Sequence, residues 1–252
     1  MYIHSINPVF LSIGVIDIRY YGLVYFLGFL FVWLYLRHGK SGKEIFKNKD
    51  HLDDFIFYLI LGAMLFARLF YIVFYNINFY FSNPIEILKF WHGGMSIHGG
   101  IFGAILGTLF FIRKYKDEKY SILQIADIMA IPLAIGLAFG RIANFINGEL
   151  YGRVTSLPWA VKFPSAEGFR HPSQLYESLK NILIASVLFL RSKKQFKTGE
   201  LSAFFLILYS ILRFFVEFLR EPEIILGSFT MGQLLSIPMF LLGIFLYRKV
   251  YS

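Results

Sequence analysis

Residues 20–36, YYGLVYFLGFLFVWLYL, hold no charge and are closed at either end by Arg19 and Arg37. A helix rises 1.5 Å per residue, and a hydrocarbon core of ~30 Å takes roughly 17–25 residues to cross, so this run is long enough to span a bilayer. Comparable runs lie at about 55–75, 95–112, 121–140, 174–190, 202–219 and 229–247, which makes seven candidate spans. Lipid offers the backbone no hydrogen-bonding partner, so a span is either a helix or part of a closed barrel. Continuous apolarity, rather than alternation over ~10 residues, selects the helix. The expected fold is an all-α integral membrane protein of seven transmembrane helices. It forms one polytopic domain over residues 1–252, with an extracytoplasmic segment at about 141–173. Composition agrees: 57% of residues are hydrophobic and 16% charged, against roughly 45–50% and about 25% for soluble domains. Thirty Phe and 16 Tyr exceed what a soluble core of this size hides, which excludes a soluble enzyme and a disordered chain.

The basic residues set the expected orientation. Fifteen fall in Arg37–Lys49, Arg113–Lys119, Arg191–Lys197 and Arg248–Lys249, while seven (Arg19, Lys89, Arg141, Arg153, Lys162, Arg170 and Arg220) fall on the other side. The positive-inside rule puts the fifteen in the cytoplasm, the N-terminus outside and the C-terminus inside. The net charge of +9 is then topogenic and attracts anionic lipid; it implies no nucleic-acid partner. Residues 1–18 contain no Lys or Arg, so no cleavable signal peptide is expected. The chain has no Cys, which removes thiol nucleophiles, Cys-ligated zinc and disulfides. His and carboxylate spacing gives no metal motif, and no metal or cofactor is expected.

Ionisable residues inside spans are costly and point to where chemistry sits. Arg68, His98, Asp127, Arg141, Glu177, Lys180, Arg213 and Glu217 qualify. Asp127 is expected to pair with Arg68, and Lys180 to snorkel toward an interface. Arg213 and Glu217 stand four apart on one helix face and are expected to pair, with Arg213 turned toward an anion. Residues 140–153, GRIANFINGELYGR, end an apolar helix with two Arg, two Asn and three Gly within fourteen residues. Guanidinium forks match phosphate oxygens, and glycine lets the backbone come close to a bulky headgroup, so a phosphate site is expected here. Residues 92–100, HGGMSIHGG, open the third span; Ser96 and His98 are two apart on the helix and form no dyad. His171 precedes the fifth span, with Ser173 as its cap or a first-turn residue. Two other classes fit parts of this pattern. A transporter or lipid flippase with an arginine anion site would show paired broken helices or a repeat, which are not seen. An intramembrane protease would need a second span aspartate beside Asp127.

Five blocks, RYYG at 19–22, GGMSIHGG at 93–100, GRIANFINGELYGR at 140–153, RHPSQLYE at 170–177 and RFFVEF at 213–218, closely resemble bacterial prolipoprotein diacylglyceryl transferases, in that family's order and over nearly the whole chain. Ala143 and Tyr151 stand where related sequences often carry Gly and Trp, with the polar members of the motif intact. The resemblance implies a multi-pass inner-membrane enzyme with its active site toward the extracytoplasmic side. It would move the diacylglyceryl group of phosphatidylglycerol onto the thiol of a prolipoprotein's lipobox cysteine, forming a thioether and releasing glycerol phosphate. Its implied partners are phosphatidylglycerol, the prolipoprotein signal peptide and the lipid bilayer. The family's functional positions fall on Tyr21, His98, Arg141, Asn144, Gly152, His171, Tyr209 and Arg213, with Glu149 and Glu217 in matching motif positions. Of these, His98, Arg141, Arg213 and Tyr21 are the expected catalytic residues, and Arg141 matches the phosphatidylglycerol-binding arginine.

Overall fold

The apolar runs form helices. The computed structural model describes all residues except Val15, Trp91, His92 and Glu223, with the side chains of Ile13 and Ile16 also left aside; His92 of the 92–100 segment therefore lies outside the described residues. In chain order the elements are β1 (Tyr2–Ile3), β2 (Val9–Ile13), β3 (Ile16–Arg19), α1 (Tyr20–His38), α2 (Lys40–Ile45), α3 (Lys49–Tyr75), α4 (Ile77–Ser82), α5 (Ile97–Lys114) and α6 (Ile122–Asn147). They continue with β4 (Val161–Lys162), α7 (Ser173–Ser192), α8 (Glu200–Val216), β5 (Ile225–Leu226), β6 (Phe229–Thr230) and α9 (Met231–Tyr251). Among the described residues, six helices are long and apolar enough to cross a membrane: α1, α3, α5, α6, α9, and α8 with the turn that follows it. The remaining run falls on α7, which has the length but carries a buried polar face of Ser173, Gln174, Glu177, Ser178, Lys180 and Asn181. The strands β1–β4, β2–β3 and β5–β6 pair into two-stranded sheets. An all-helical reading misses them because the strands are two to five residues long, too short for a period to register.

The chain divides into two compact units, Met1–Val32 with Ala126–Ser252, and Trp33–Ile125. In the second unit α3 and α5 meet backbone to backbone. Lipid supplies no hydrophobic drive to pack helices together, so close approach relies on small residues. Gly99, Gly103 and Gly107 recur every fourth residue along α5, and Gly62 faces them from α3. A Cβ on Gly103 would stand 2.0 Å from the Gly62 carbonyl oxygen, and one on Gly107 would stand 2.2 Å from that of Tyr58. Arg68 of α3 is buried, and its guanidinium lies 4.9 Å from the centre of the Tyr80 ring. It donates to the carbonyls of Ile87 (3.1 Å), Gly94 (3.1 Å), Lys89 (3.2 Å), Glu86 and Gly93. All five of its N–H donors thereby hold the segment that leads into α5.

In the first unit α8 packs against both α7 and α9. Asp127 of α6 is buried, and it accepts hydrogen bonds from Gly199 N (2.5 Å), Ser202 N (2.8 Å) and Ser202 Oγ (2.7 Å) at the start of α8. The expected Asp127–Arg68 pair is thus corrected. The free N–H groups of a helix N-terminus meet the carboxylate, and loop carbonyls meet the guanidinium.

The glycine seam gives a direct test. Gly103→Val places a branched side chain against the α3 backbone and is expected to destabilise the protein by on the order of 1–3 kcal/mol or more. Gly100→Ala, whose Cβ would meet nothing closer than 3.7 Å, is expected to leave stability unchanged. Thermal unfolding of both variants in detergent checks the contrast, and equal behaviour would contradict it.

Candidate functional site

Glu177 lies one turn into α7 with no solvent exposure. Lipid and protein both penalise an ionised carboxylate unless cations and donors surround it. Four cations do so. Lys180 Nζ is 2.7 Å from Oε2 and Arg141 Nε is 3.9 Å from the same oxygen; Arg213 pairs with Oε1, and Arg220 Nη1 lies 3.4 Å from it. Glu177 and Lys180 are three apart on one helix face. Arg141 comes from α6, Arg213 from α8, and Arg220 from the turn after α8. Lys180 is 4% exposed, and its ammonium sits 4.0 Å from the centre of the half-buried Tyr209 ring. That corrects the expectation that it snorkels: a buried partner one turn away replaces the interface.

A second carboxylate completes the cluster. Glu217 Oε2 lies 2.7 Å from Arg213 Nη2 and 3.6 Å from Arg220 Nε, and Oε1 accepts from Thr230 Oγ1 at 3.0 Å. The Arg213–Glu217 pair expected from their spacing is present, and Arg213 bridges it to Glu177 as well. Among the described residues of this cluster, four basic side chains face two carboxylates, a formal surplus of two positive charges.

The residues after Arg141 fix the end of α6 against the start of α7. The helix continues through Asn144 to Asn147 before the chain turns. Asn144 Nδ2 donates to Glu149 Oε1 (2.7 Å), and the Glu149 and Leu150 carbonyls accept from Gln174 Nε2 (2.6 Å) and Ser173 Oγ (3.0 Å). Ser173 is thus a first-turn residue, with Pro172 at the cap position. Leu150, a non-glycine residue, adopts φ 56° where the chain reverses. Gly152 lies between two backbone segments: its N–H donates to the His171 carbonyl (2.9 Å), and a Cβ there would stand 2.3 Å from the Leu219 carbonyl oxygen and 2.7 Å from the His171 Cβ. Only glycine fits. Arg153 N donates to Leu219 O (3.0 Å) and its Nε to Arg220 O (3.1 Å), so this loop sets the backbone that carries Arg220. The His171 Nδ1 is 3.2 Å from Tyr176 Oη, which accepts from Trp159 Nε1 at 2.8 Å. Burial holds the His171 imidazole below its ordinary pKa, favouring the neutral ring at pH 7.

Tyr21 opens α1, and its hydroxyl accepts from that of Tyr25 at 3.3 Å; Tyr25 in turn lies within electrostatic range of Arg141 and Glu149. Of the sequence-derived positions, Arg141, Arg213, Glu217 and Tyr209 converge on one cluster, and Asn144, Glu149, Gly152 and His171 build the loop beside it. His98 is exposed in the first turn of α5, in the unit Trp33–Ile125, with Ser96 at that helix's cap position. Sequence reasoning missed Arg220, counted among the outer loop basics, and the central place of Glu177. Gln174, Glu177, Ser178 and Asn181 at i, i+3, i+4 and i+7 carry the missed signal: a polar stripe on a membrane-length helix needs an interior partner.

Fold and site together define a helical multi-pass membrane protein built around a buried, net-cationic cluster. A family profile described as prolipoprotein diacylglyceryl transferase matches residues 8–248, and the chain belongs to that family. It is similar to three proteins named phosphatidylglycerol–prolipoprotein diacylglyceryl transferase. One, from Geobacter sulfurreducens, is 42% identical over 95% of this chain and 93% of that protein. Those from Bordetella parapertussis and Rickettsia bellii are 46% and 44% identical, over 96% and 97% of this chain and 95% of each relative.

If Glu177 holds the cluster together, removing its charge leaves several buried cations facing one another. Glu177→Gln is expected to cost on the order of 3–5 kcal/mol of stability, the usual penalty for breaking a buried pair from one side. Glu177→Gln with Lys180→Met is expected to recover part of that loss in thermal unfolding. A Glu177→Gln protein as stable as the parent would contradict the arrangement.

Proposed function

We propose that this protein transfers the diacylglyceryl group of phosphatidylglycerol to the thiol of a prolipoprotein's lipobox cysteine, forming a thioether and releasing glycerol phosphate. The observation that carries the reading is the two-charge surplus of the Arg141–Lys180–Arg213–Arg220 cluster. The substrate phosphodiester brings one negative charge. The leaving phosphomonoester has a second pKa of about 6 and carries close to two at neutral pH. The cluster's complementarity therefore grows as the carbon–oxygen bond breaks, which favours the transition state over the bound substrate. The relatives' names give diacylglyceryl transfer with phosphatidylglycerol and prolipoprotein, which supports the reading.

In this reading the cysteine sulfur attacks the glycerol carbon, the carbon–oxygen electron pair leaves with the phosphate, and the thiol proton passes to a base. The substrate brings the only thiol, which suits an enzyme without cysteine. Arg141 and Arg213 bind the phosphate, and Tyr21, Asn144, Glu149, Gly152, His171, Tyr209 and Glu217 bind or frame the headgroup. His98 is the proton acceptor, supported by its motif position. Seven spans, α7 among them, follow from the seven apolar runs, and an outer N-terminus and an inner C-terminus from the asymmetry of basic residues. That orientation puts the site toward the extracytoplasmic side of the bacterial inner membrane, where lipid and signal peptide enter sideways from the bilayer.

Purified protein, phosphatidylglycerol in micelles and a lipobox peptide are expected to yield a peptide heavier by one diacylglyceryl group. A transporter would move lipid and leave the peptide unchanged. Arg141→Lys is expected to lose most activity while still folding, because an ammonium does not reproduce the bidentate fork. His98→Gln is expected to slow turnover by roughly 10²–10⁴ at neutral pH and to regain part of it as the pH nears the thiol pKa of about 8.5. A deficit that stays flat with pH would remove His98 from the role of base.

A further inference from the structure

The two oxygens of Glu217 face different partners. Oε2 is given to Arg213 and Arg220, and Oε1 to Thr230, the N-cap of α9. The carboxylate also lies against Gly232 in the first turn of that helix, where a Cβ would stand 2.6 Å from Oε1 and 2.6 Å from Cδ. Thr230 is 5% exposed and its single hydroxyl does two things: the proton goes to Glu217, and a lone pair accepts from Gln233 N at 3.3 Å. Gln233 Oε1 accepts in return from Thr230 N at 3.0 Å, so the start of α9 is held independently of Glu217. The partial positive charge of a helix N-terminus favours the ionised carboxylate at this spot.

We infer that Thr230 and Gly232 are positioning residues for the transferase reaction: they fix the rotamer of Glu217 and through it the direction in which Arg213 presents its guanidinium to the departing phosphate. Neither residue touches the reacting atoms. The inference rests on the function proposed above. Without the hydroxyl, Oε1 loses its fixed donor and the carboxylate is free to turn. A methyl on Gly232 occupies the space the carboxylate fills. Either change displaces Arg213 by a fraction of its reach, and misplacement of about 1 Å at a reacting group costs up to ~10²-fold in rate.

The test compares four variants in the micellar peptide assay, with thermal unfolding alongside. Thr230→Val and Gly232→Ala are expected to lower kcat by roughly 10- to 100-fold with a smaller change in KM for phosphatidylglycerol. Thr230→Ser keeps both hydrogen bonds and is expected to restore kcat. Gln233→Ala removes the reciprocal cap without touching Glu217; it is expected to lose stability comparable to Thr230→Val yet keep kcat. If Thr230→Val fails to accumulate, Gly232→Ala carries the same comparison. Equal kcat in Gly232→Ala and the parent overturns the inference, as does a kcat loss in Gln233→Ala matching that of Thr230→Val. A parent protein that forms no lipidated peptide instead overturns the proposed function.

Discussion

Glu177 is a carboxylate with no access to water, and the arrangement of the helices around it follows from the cost of that burial. A charge taken out of water is tolerated inside a protein only where opposite charge and donors replace the solvent. Here the replacement comes from α6, α7, α8 and the turn after α8, which supply Arg141, Lys180, Arg213 and Arg220. The dependence also runs the other way. Four cations this close would repel one another, and Glu177 and Glu217 keep them together. The ion cluster fixes helix positions that apolar packing in lipid leaves loosely specified.

In the proposed reaction the same cluster turns a binding site into a catalytic one. A site whose charge is already balanced binds an anion poorly, and one matched to the phosphodiester would hold substrate without easing its reaction. On that proposal, the formal surplus of two positive charges matches the phosphomonoester that leaves. The loop from Gly148 to Pro172 contributes by fixing geometry. Gly152 lets three backbone segments meet, and Arg153 secures the Arg220 carbonyl, so the guanidinium of Arg220 starts from a fixed backbone.

Much of this was legible in the chain. Each apolar run became a helix, because in lipid the helix is the only open-ended way to satisfy the backbone. The i, i+4 spacing of Arg213 and Glu217 foretold their pair. Asn144 and Glu149 were placed in one motif, and they bond to each other. What stayed hidden were partners far apart in sequence. Nothing local tells Asp127 that its donors are Gly199 and Ser202, or Arg68 that five carbonyls from residues 86–94 await it. Lys180 looked like an interfacial lysine because the pattern gives the helix face without saying what packs on it. The α3–α5 glycine seam is visible in the chain only as Gly99, Gly103 and Gly107 at every fourth residue, a spacing that does not name Gly62 as its partner.

The charge-surplus account is tested most directly by how the resting protein ranks its anions. Binding of glycerol 3-phosphate and of its methyl phosphodiester to the detergent-purified protein, measured by calorimetry near pH 7.5, isolates one unit of ligand charge at nearly constant shape. The account predicts that the dianion binds at least about tenfold tighter, a difference of ~1.4 kcal/mol, and that Arg213→Gln erases most of the preference. Equal Kd values for the two ligands in the parent protein would contradict it.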